Sequence, residues 1–416
     1  MIRNFVDRFK TTLFFACVPL LPWHNYCIPI TDMTRIEANY VLACQYMNSA
    51  SPAYGAINDI TGDPTFVVPR ENGMAILGLK MAAEILRDNS YIERAQLAAD
   101  YLTLIQDQSD GSWFDQYDFT TPVANGKSPT QTAEVMIAFY KLGFRPERYV
   151  SMRAGAQYLL DCQNPANKGG IDDGLLGGGK YRQNDQWLYH SHRWASDNSY
   201  AYWALKAAQH WAILENELDF AQTCQIAAQN ILNGINQYLY VNDPSDPDHG
   251  VWRAKIDSQG QPVDPNFHEW INYAPQMLDL PAVGVGSARV GTWIHQNLQN
   301  TDGACVQDNG DLQNHKSPGF SFQASLCWLD LRQRNYSASA LGWTYRSGLW
   351  QRTPDPNGIA GGWVDWIADG VPENWWWRFI DTSFYAIAAY NGGYDFRTYT
   401  DTDLIPASFS RRSSAN

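Results

Sequence analysis

Tyr91-Ile-Glu-Arg-Ala-Gln-Leu-Ala-Ala-Asp-Tyr-Leu-Thr-Leu-Ile105, followed after a loop by Thr130-Gln-Thr-Ala-Glu-Val-Met-Ile-Ala-Phe-Tyr-Lys-Leu142, decides the fold of this chain. In the first stretch apolar side chains fall at 92, 95, 98, 101, 102 and 105, with charged 93, 94 and 100 opposite them. That period marks a helix with one wet face. The second stretch is apolar nearly all round, which a helix tolerates when neighbours bury most of its sides. The alternation recurs. Wet segments begin near Thr31, Tyr91, Tyr149, Phe220, Ser287 and Tyr336, and dry ones near Pro69, Ser128, Ser196, Ile271, Ser317 and Phe379. Hairpins that cannot bury an apolar face alone must stack. Six in order predict an outer ring of helices around an inner ring. The inner helices are expected at 69–86, 129–142, 197–213, 271–280, 318–332 and 380–390, the fourth interrupted by Pro275 and Pro281.

At 416 residues the chain is long enough for two or three domains. The repeat argues instead for one domain over 31–395, with an apolar segment 1–30 before it and a tail 396–416 after it. A content of 45% hydrophobic and 18% charged residues excludes global disorder. The net charge of −13, with no basic run, excludes nucleic acid as a partner. The 17 Trp and 23 Tyr either fill gaps between helices or line a groove for flat ligands such as sugar rings. Trp113, Trp187, Trp252, Trp270, Trp363, Trp366 and Trp375 all fall in loops, which favours a groove. The seven Cys show neither CxxC pairs nor zinc-ligand spacing. Residues 1–23 join a basic start to a short apolar run that resembles a secretory signal, but Asp7 and two prolines interrupt it. The run is too short to span a bilayer. Export, a cytoplasmic chain and an apolar arm packed on the ring all stay open, the cytoplasm slightly favoured over export, so no location is assigned. No cofactor and no metal is expected: Gly177-Gly-Gly179 lacks the strand context of a dinucleotide loop, and His190 and His192 have no identifiable third ligand. Oligomeric state is not legible.

Loops after the wet segments are rich in turn residues, and those near 165–195, 242–270 and 353–378 are long. In the loop after the second wet segment, Gln108-Ser-Asp-Gly-Ser-Trp113 resembles the QxxDGxW repeat of α/α toroids, shared by terpene cyclases and some polysaccharide lyases. Gln299-Asn-Thr-Asp-Gly-Ala-Cys305 is a degenerate copy. The six hairpins resemble (α/α)6 glycosidases and lyases across residues 31–395. The resemblance implies an all-α (α/α)6 toroid with its chemistry where the long loops feed the inner helices.

Helix N-termini there stabilise carboxylates. Three of them combine Arg with a carboxylate and aromatics: Arg70-Glu71, His190-Ser-His192-Arg193-Trp194-Ala-Ser-Asp197-Asn-Ser-Tyr200, and Glu373-Asn-Trp375-Trp376-Trp377-Arg378-Phe-Ile-Asp381. Asp197 and Asp381 are read as an acid–base pair facing across a cleft, with Glu71 in reserve and Glu373 as a substitute acid. The competing reading makes both aspartates helix caps. Arg193 and Arg378 would stand beside them. Trp113, His190, His192, Trp194, Tyr200, Trp270, Trp375, Trp376 and Trp377 would line the substrate site. Asp172, Asp173 and Glu269 come next as carboxylates. A paired-carboxylate glycoside hydrolase acting on an oligo- or polysaccharide accounts best for this pattern. A lyase, a sugar-binding scaffold and a terpene-cyclase-like enzyme remain open, although the chain carries neither DxDD nor DDxxD.

Overall fold

The computed structural model describes residues 30–59, 65–264, 268–308, 315–347, 361–364, 367–368, 371–372 and 378–399. In chain order its principal helices are α1 (Ile30–Cys44), α2 (Pro69–Leu86), α3 (Ser90–Ile105), α4 (Pro129–Leu142), α5 (Pro146–Gln163), α6 (Ala195–Leu214), α7 (Leu218–Gly234), α8 (Ala274–Met277), α9 (Ala288–Leu298), α10 (Pro318–Asp330), α11 (Arg334–Ser347) and α12 (Ile380–Tyr390). Each even helix packs on the next, and α12 returns to α2, so the even helices form a closed inner ring. The odd helices lie outside. This is the expected (α/α)6 double ring. Among the described residues no helix is long and apolar enough to cross a membrane.

The dry segments are dry because neighbours surround them. Pro129–Phe139 of α4 and Ala195–Gln209 of α6 are buried without a break, whereas Glu93 and Leu104 of α3 lie toward solvent. Pro69, Pro129, Pro146 and Pro318 open their helices, where the missing N–H costs nothing. Ser128 and Ser317 cap α4 and α10. The fourth inner helix is shorter than expected. A 3-10 turn at Trp270–Tyr273 leads into α8, Pro275 is confined to its first turn, and Asp279 turns left-handed (φ 50°) just beyond it. Every described strand is at most four residues long and lies between an odd helix and the next even one. One end of the ring is therefore elaborate and the other plain.

The repeat has a physical unit. Gln45, Gln106, Gln163 and Gln299 stand where α1, α3, α5 and α9 end. Each Nε2 donates to a loop glycine carbonyl (Gly55, Gly111, Gly174, Gly303) and to a carbonyl of the next outer helix (Arg94, Ser151, Ala227, Tyr336). Each of these glycines has positive φ and lies against the carbonyl three residues further along that helix. A Cβ would come within 2.3–2.5 Å of Leu97, Ala154, Asn230 or Ser339 O. The aspartate before three of the glycines pairs with the cation two residues ahead of the next inner helix: Asp110 with Lys127, Asp173 with Arg193, Asp302 with Lys316. In the QxxDGxW-like string the working glutamine is thus Gln106, not Gln108.

The plain end is covered by residues 391–399. Phe396 and Tyr399 are buried, Thr398 donates to Trp203 O (2.7 Å), and Lys141 donates to Asp395 O and Arg397 O. These aromatics fill the lower mouth of the inner ring.

Candidate active site

Counting from the first residue of every inner helix but α8 aligns the rim. One step in stand Arg70, Thr130, Ser196, Gly319 and Asp381, and two steps in stand Glu71, Gln131, Asp197, Phe320 and Thr382. Neighbouring helices meet one-to-two. The Arg70 N–H donates to Gln131 Oε1 (2.8 Å), the Thr130 hydroxyl donates to Asp197 Oδ1, and Gly319 lies against Thr382. At the α12–α2 seam the same register brings Asp381 to Glu71.

Arg70 Nη2 holds Glu71 Oε1 at 3.2 Å, with the Glu71 side chain 3% exposed and that of Arg70 41% exposed. The Arg70 side chain is the cation of this cluster, and Asp381 beside it is half-buried. Burial works against its charge, but Glu71, Glu134, Asp381 and Asp59 outweigh burial and raise its pKa. Burial pushes Asp381 up to about 7, with the Glu71 charge next in weight and Arg70 opposing. Burial raises Asp197 to about 6, against the Thr130 hydrogen bond. Glu134, one turn deeper on α4, is pushed well above the usual carboxylate range by burial and by the Asp381, Glu71 and Asp197 charges, with Arg70 opposing. Asp115 extends the group outward. Burial raises it although its Oδ1 accepts the Ser128 N–H (2.8 Å), and His190 and Arg70 act on it. Carboxyls that share a cation while burial and like charge oppose their ionisation are what proton-transfer chemistry requires.

Neither aspartate acts as a plain cap. Trp194 occupies the N-cap of α6, and no side-chain capping bond is made there. Asp381 takes the Thr382 hydroxyl at 3.2 Å but also faces Glu71 and Arg70 electrostatically. Their cation differs from the expected one. Arg193 is fully buried. Its Nε pairs with Asp173 Oδ2 (2.7 Å), Nη2 donates to Gly169 O (2.7 Å) and Nη1 to Ser191 O. It is the hairpin-three counterpart of Lys127 and Lys316, and its donors are taken up by Asp173 and by carbonyls of its own loop. Trp113 is also withdrawn from the cleft: it is fully buried, with Nε1 donating to Leu102 O (2.8 Å). Trp252 and Trp363 are core as well, because the loops fold back over the ring. Asp173 is spent on Lys168 and Arg193.

Trp194 remains half-buried beneath Lys255 Nζ (4.5 Å), and Trp270 stacks on Phe320 at 6.0 Å. His190 is exposed and packs at a tilt against Tyr181 (ring centroids 4.2 Å), and His192 is half-buried. Tyr200 is fully buried. Glu269 closes a capping box with Asn272, and burial and Asp308 raise it to about 7. Glu373, Trp375, Trp376 and Trp377 lie outside the described residues, as does the Arg378 side chain, although its backbone pairs with Val364. No group of three or more metal-ligating side chains occurs among the described residues. Sequence reasoning missed Glu134 and undervalued Arg70. A lone carboxylate in an otherwise dry helix was the available signal.

No family model matches the sequence, and no curated protein is detectably similar to it. Solved structures do match. A D-mannose isomerase superposes with TM-score 0.61 at 13% identity, over 88% of this chain and 98% of that one. The cellobiose 2-epimerase of Bacillus thermoamylovorans B4167 gives 0.59 at 10% identity, over 86% and 98%. A bacterial glucoamylase complexed with acarbose gives 0.59 at 12%, over 86% of this chain and 54% of its own length, so this chain spans about half of that protein. At such identities the likeness is one of fold.

Proposed function

We propose that the chain is a carbohydrate-active enzyme, a glycoside hydrolase in which Asp381 is the general acid and Asp197 the general base. The observation that carries this reading is the set of rim carboxyls around Arg70, Glu71 and Asp197 buried and Asp381 half-buried, with desolvation and the Glu71 charge holding Asp381 protonated up to about 7 and desolvation raising Asp197 to about 6. α12 and α6 face one another in a ring of six, so the two groups address a glycosidic bond from opposite sides. Asp381 gives its proton to the leaving oxygen as the C–O bond breaks. Asp197 takes a proton from the water that forms the new bond to the sugar carbon. Solvent exchange then restores both groups. Glu71 acts through Asp381, since its charge opposes loss of the acid's proton. Trp194 and Trp270 offer ring faces to sugar C–H surfaces. The partner is an oligo- or polysaccharide. Resemblance in fold to a glucoamylase supports the reading without fixing the substrate.

The test is release of sugar from a panel of aryl glycosides and oligosaccharides by the parent, Asp381→Asn and Asp197→Asn, each with its melting temperature. Turnover by the variants should fall by about 10²–10⁴ while melting stays high. Variants as active as the parent would remove the assignment. The isomerase and epimerase neighbours favour a second reading, proton transfer at a sugar carbon by the same carboxyls. It predicts a ketose or an epimer from the panel with every glycosidic bond intact.

A further inference from the structure

Five steps into the inner helices stand Met74, Glu134, Tyr200, Gln323 and Tyr385, one turn below the rim. α6 and α12 are opposed, and the Tyr200 and Tyr385 hydroxyls meet at 3.0 Å. Neighbouring helix axes lie about 8–10 Å apart, so opposed axes in a ring of six are about 16–20 Å apart, a gap two tyrosines can bridge. Both residues are buried, at 0% and 3% exposure, and the Glu134 charge acts on both phenols. Phe384, the residue before Tyr385, packs edge-on against Tyr394 and Phe396, and residues 391–399 close the plain end. The lumen is therefore stopped. From rim to floor is three residues of helix, about 4.5 Å, a depth suited to one sugar ring.

One group on the floor level lacks a partner. Gln323 is 6% exposed, and its amide oxygen is buried without a hydrogen bond. It shares the register of Glu134, Tyr200 and Tyr385. An unsatisfied buried acceptor is costly in a folded protein, and beside a binding site a ligand donor can satisfy it.

We infer that the site is a blind pit that receives one terminal sugar ring, so that the enzyme works from a chain end, with Gln323 accepting a hydroxyl of that ring. This rests on the saccharide reading above. An internal segment of a polymer carries chain on both sides and cannot descend into a stopped lumen. A terminal ring can, placing its glycosidic oxygen at the level of the rim carboxyls.

The experiment compares linear oligosaccharides with the same molecules capped at both terminal rings by bulky substituents. Binding is read by calorimetry and products by chromatography. Uncapped chains should bind and shorten one ring at a time, with monosaccharide as the first product, and capped chains should neither bind nor be cut. Gln323→Met should weaken monosaccharide binding about ten-fold while melting is unchanged or higher, because an orphan acceptor has been removed. Internal cleavage of capped chains, or capped chains bound as tightly as uncapped ones, overturns the pit and leaves hydrolysis standing. Uncapped chains that bind but persist uncut leave the pit and remove hydrolysis. No binding across the panel removes both. A Gln323→Met protein that melts early with unchanged affinity overturns the role of Gln323.

Discussion

If Asp197 must be ionised and Asp381 protonated, activity should follow a bell whose limbs lie at about 6 and about 7. At pH 6.5 about 60% of the enzyme is in the working state, and at pH 5 or pH 8 about 9%, a loss of about seven-fold on each side. The alkaline limb belongs to Asp381, which the Glu71 charge helps to keep protonated. Glu71→Gln removes that charge. Two like charges within about 12 Å interact by at least ~1.4 kcal/mol at an effective dielectric of ~20, equivalent to one pH unit. The alkaline limb should retreat to about pH 6, moving the optimum from about 6.5 to about 6 and cutting the working fraction at the optimum to about a third. The assay is kcat/KM on a hydrolysed glycoside from pH 4.5 to 8.5 for parent and variant at constant ionic strength. A flat parent profile between pH 5 and 8, or an alkaline limb that Glu71→Gln leaves in place, would refute the assignment of acid and base.

Three further outcomes are expected. Asp381 binds its proton more tightly folded than unfolded, where a carboxyl titrates near 3.9, so its contribution to stability is complete below that pH and is lost as pH rises through about 7. Asp381→Asn should therefore melt higher than the parent at pH 8 and no higher at pH 4, as thermal scans at both values would register. Arg193→Met leaves Asp173 with Lys168 as its one remaining cation and strips three loop carbonyls (Gly169, Ile171 and Ser191) of a donor; a loss of about 3–5 kcal/mol is expected in denaturant titration, with KM at permissive temperature unchanged. Gln106→Leu frees the Gly111 and Ser151 carbonyls, which should cost about 1–3 kcal/mol for each carbonyl left buried and unpaired, without altering the pH profile.

The double ring was legible because its signal is summed over many residues. Wet and dry periodicity set the inner helices within a few residues, and the expectation failed mainly at α8, where prolines govern the local path. The clustering of carboxyls at the candidate site was legible in part. Glu71, Asp197 and Asp381 announced themselves as charges at the starts of dry helices. Their cation was misassigned because Arg193 follows His192 in sequence as a functional group would, while its partner Asp173 lies 20 residues upstream. Trp113 misled for a related reason: a tryptophan in a loop suggests a surface, but this loop turns its ring toward Phe139 at 6.1 Å. Glu134 was hidden by its helix, whose apolar average concealed one acid.

The glutamine clamps have a consequence for how the ring opens. In an array whose stability is a sum of nearest-neighbour terms, opening starts at the weakest junction. Between α7 and α9 no glutamine bridge occurs among the described residues. Arg289 instead reaches back from α9 to His249 O (3.1 Å) and Pro247 O (2.8 Å), and its side chain, not a backbone carbonyl, lies over Gly250. The inner helix of that same hairpin is a single turn. A closed ring must break at two places to come apart, but it can breathe at one. Amide protons of hairpin four should therefore exchange first, ahead of those in α4 and α6, and the wall of the lumen carrying Glu269 becomes the side from which solvent gains entry.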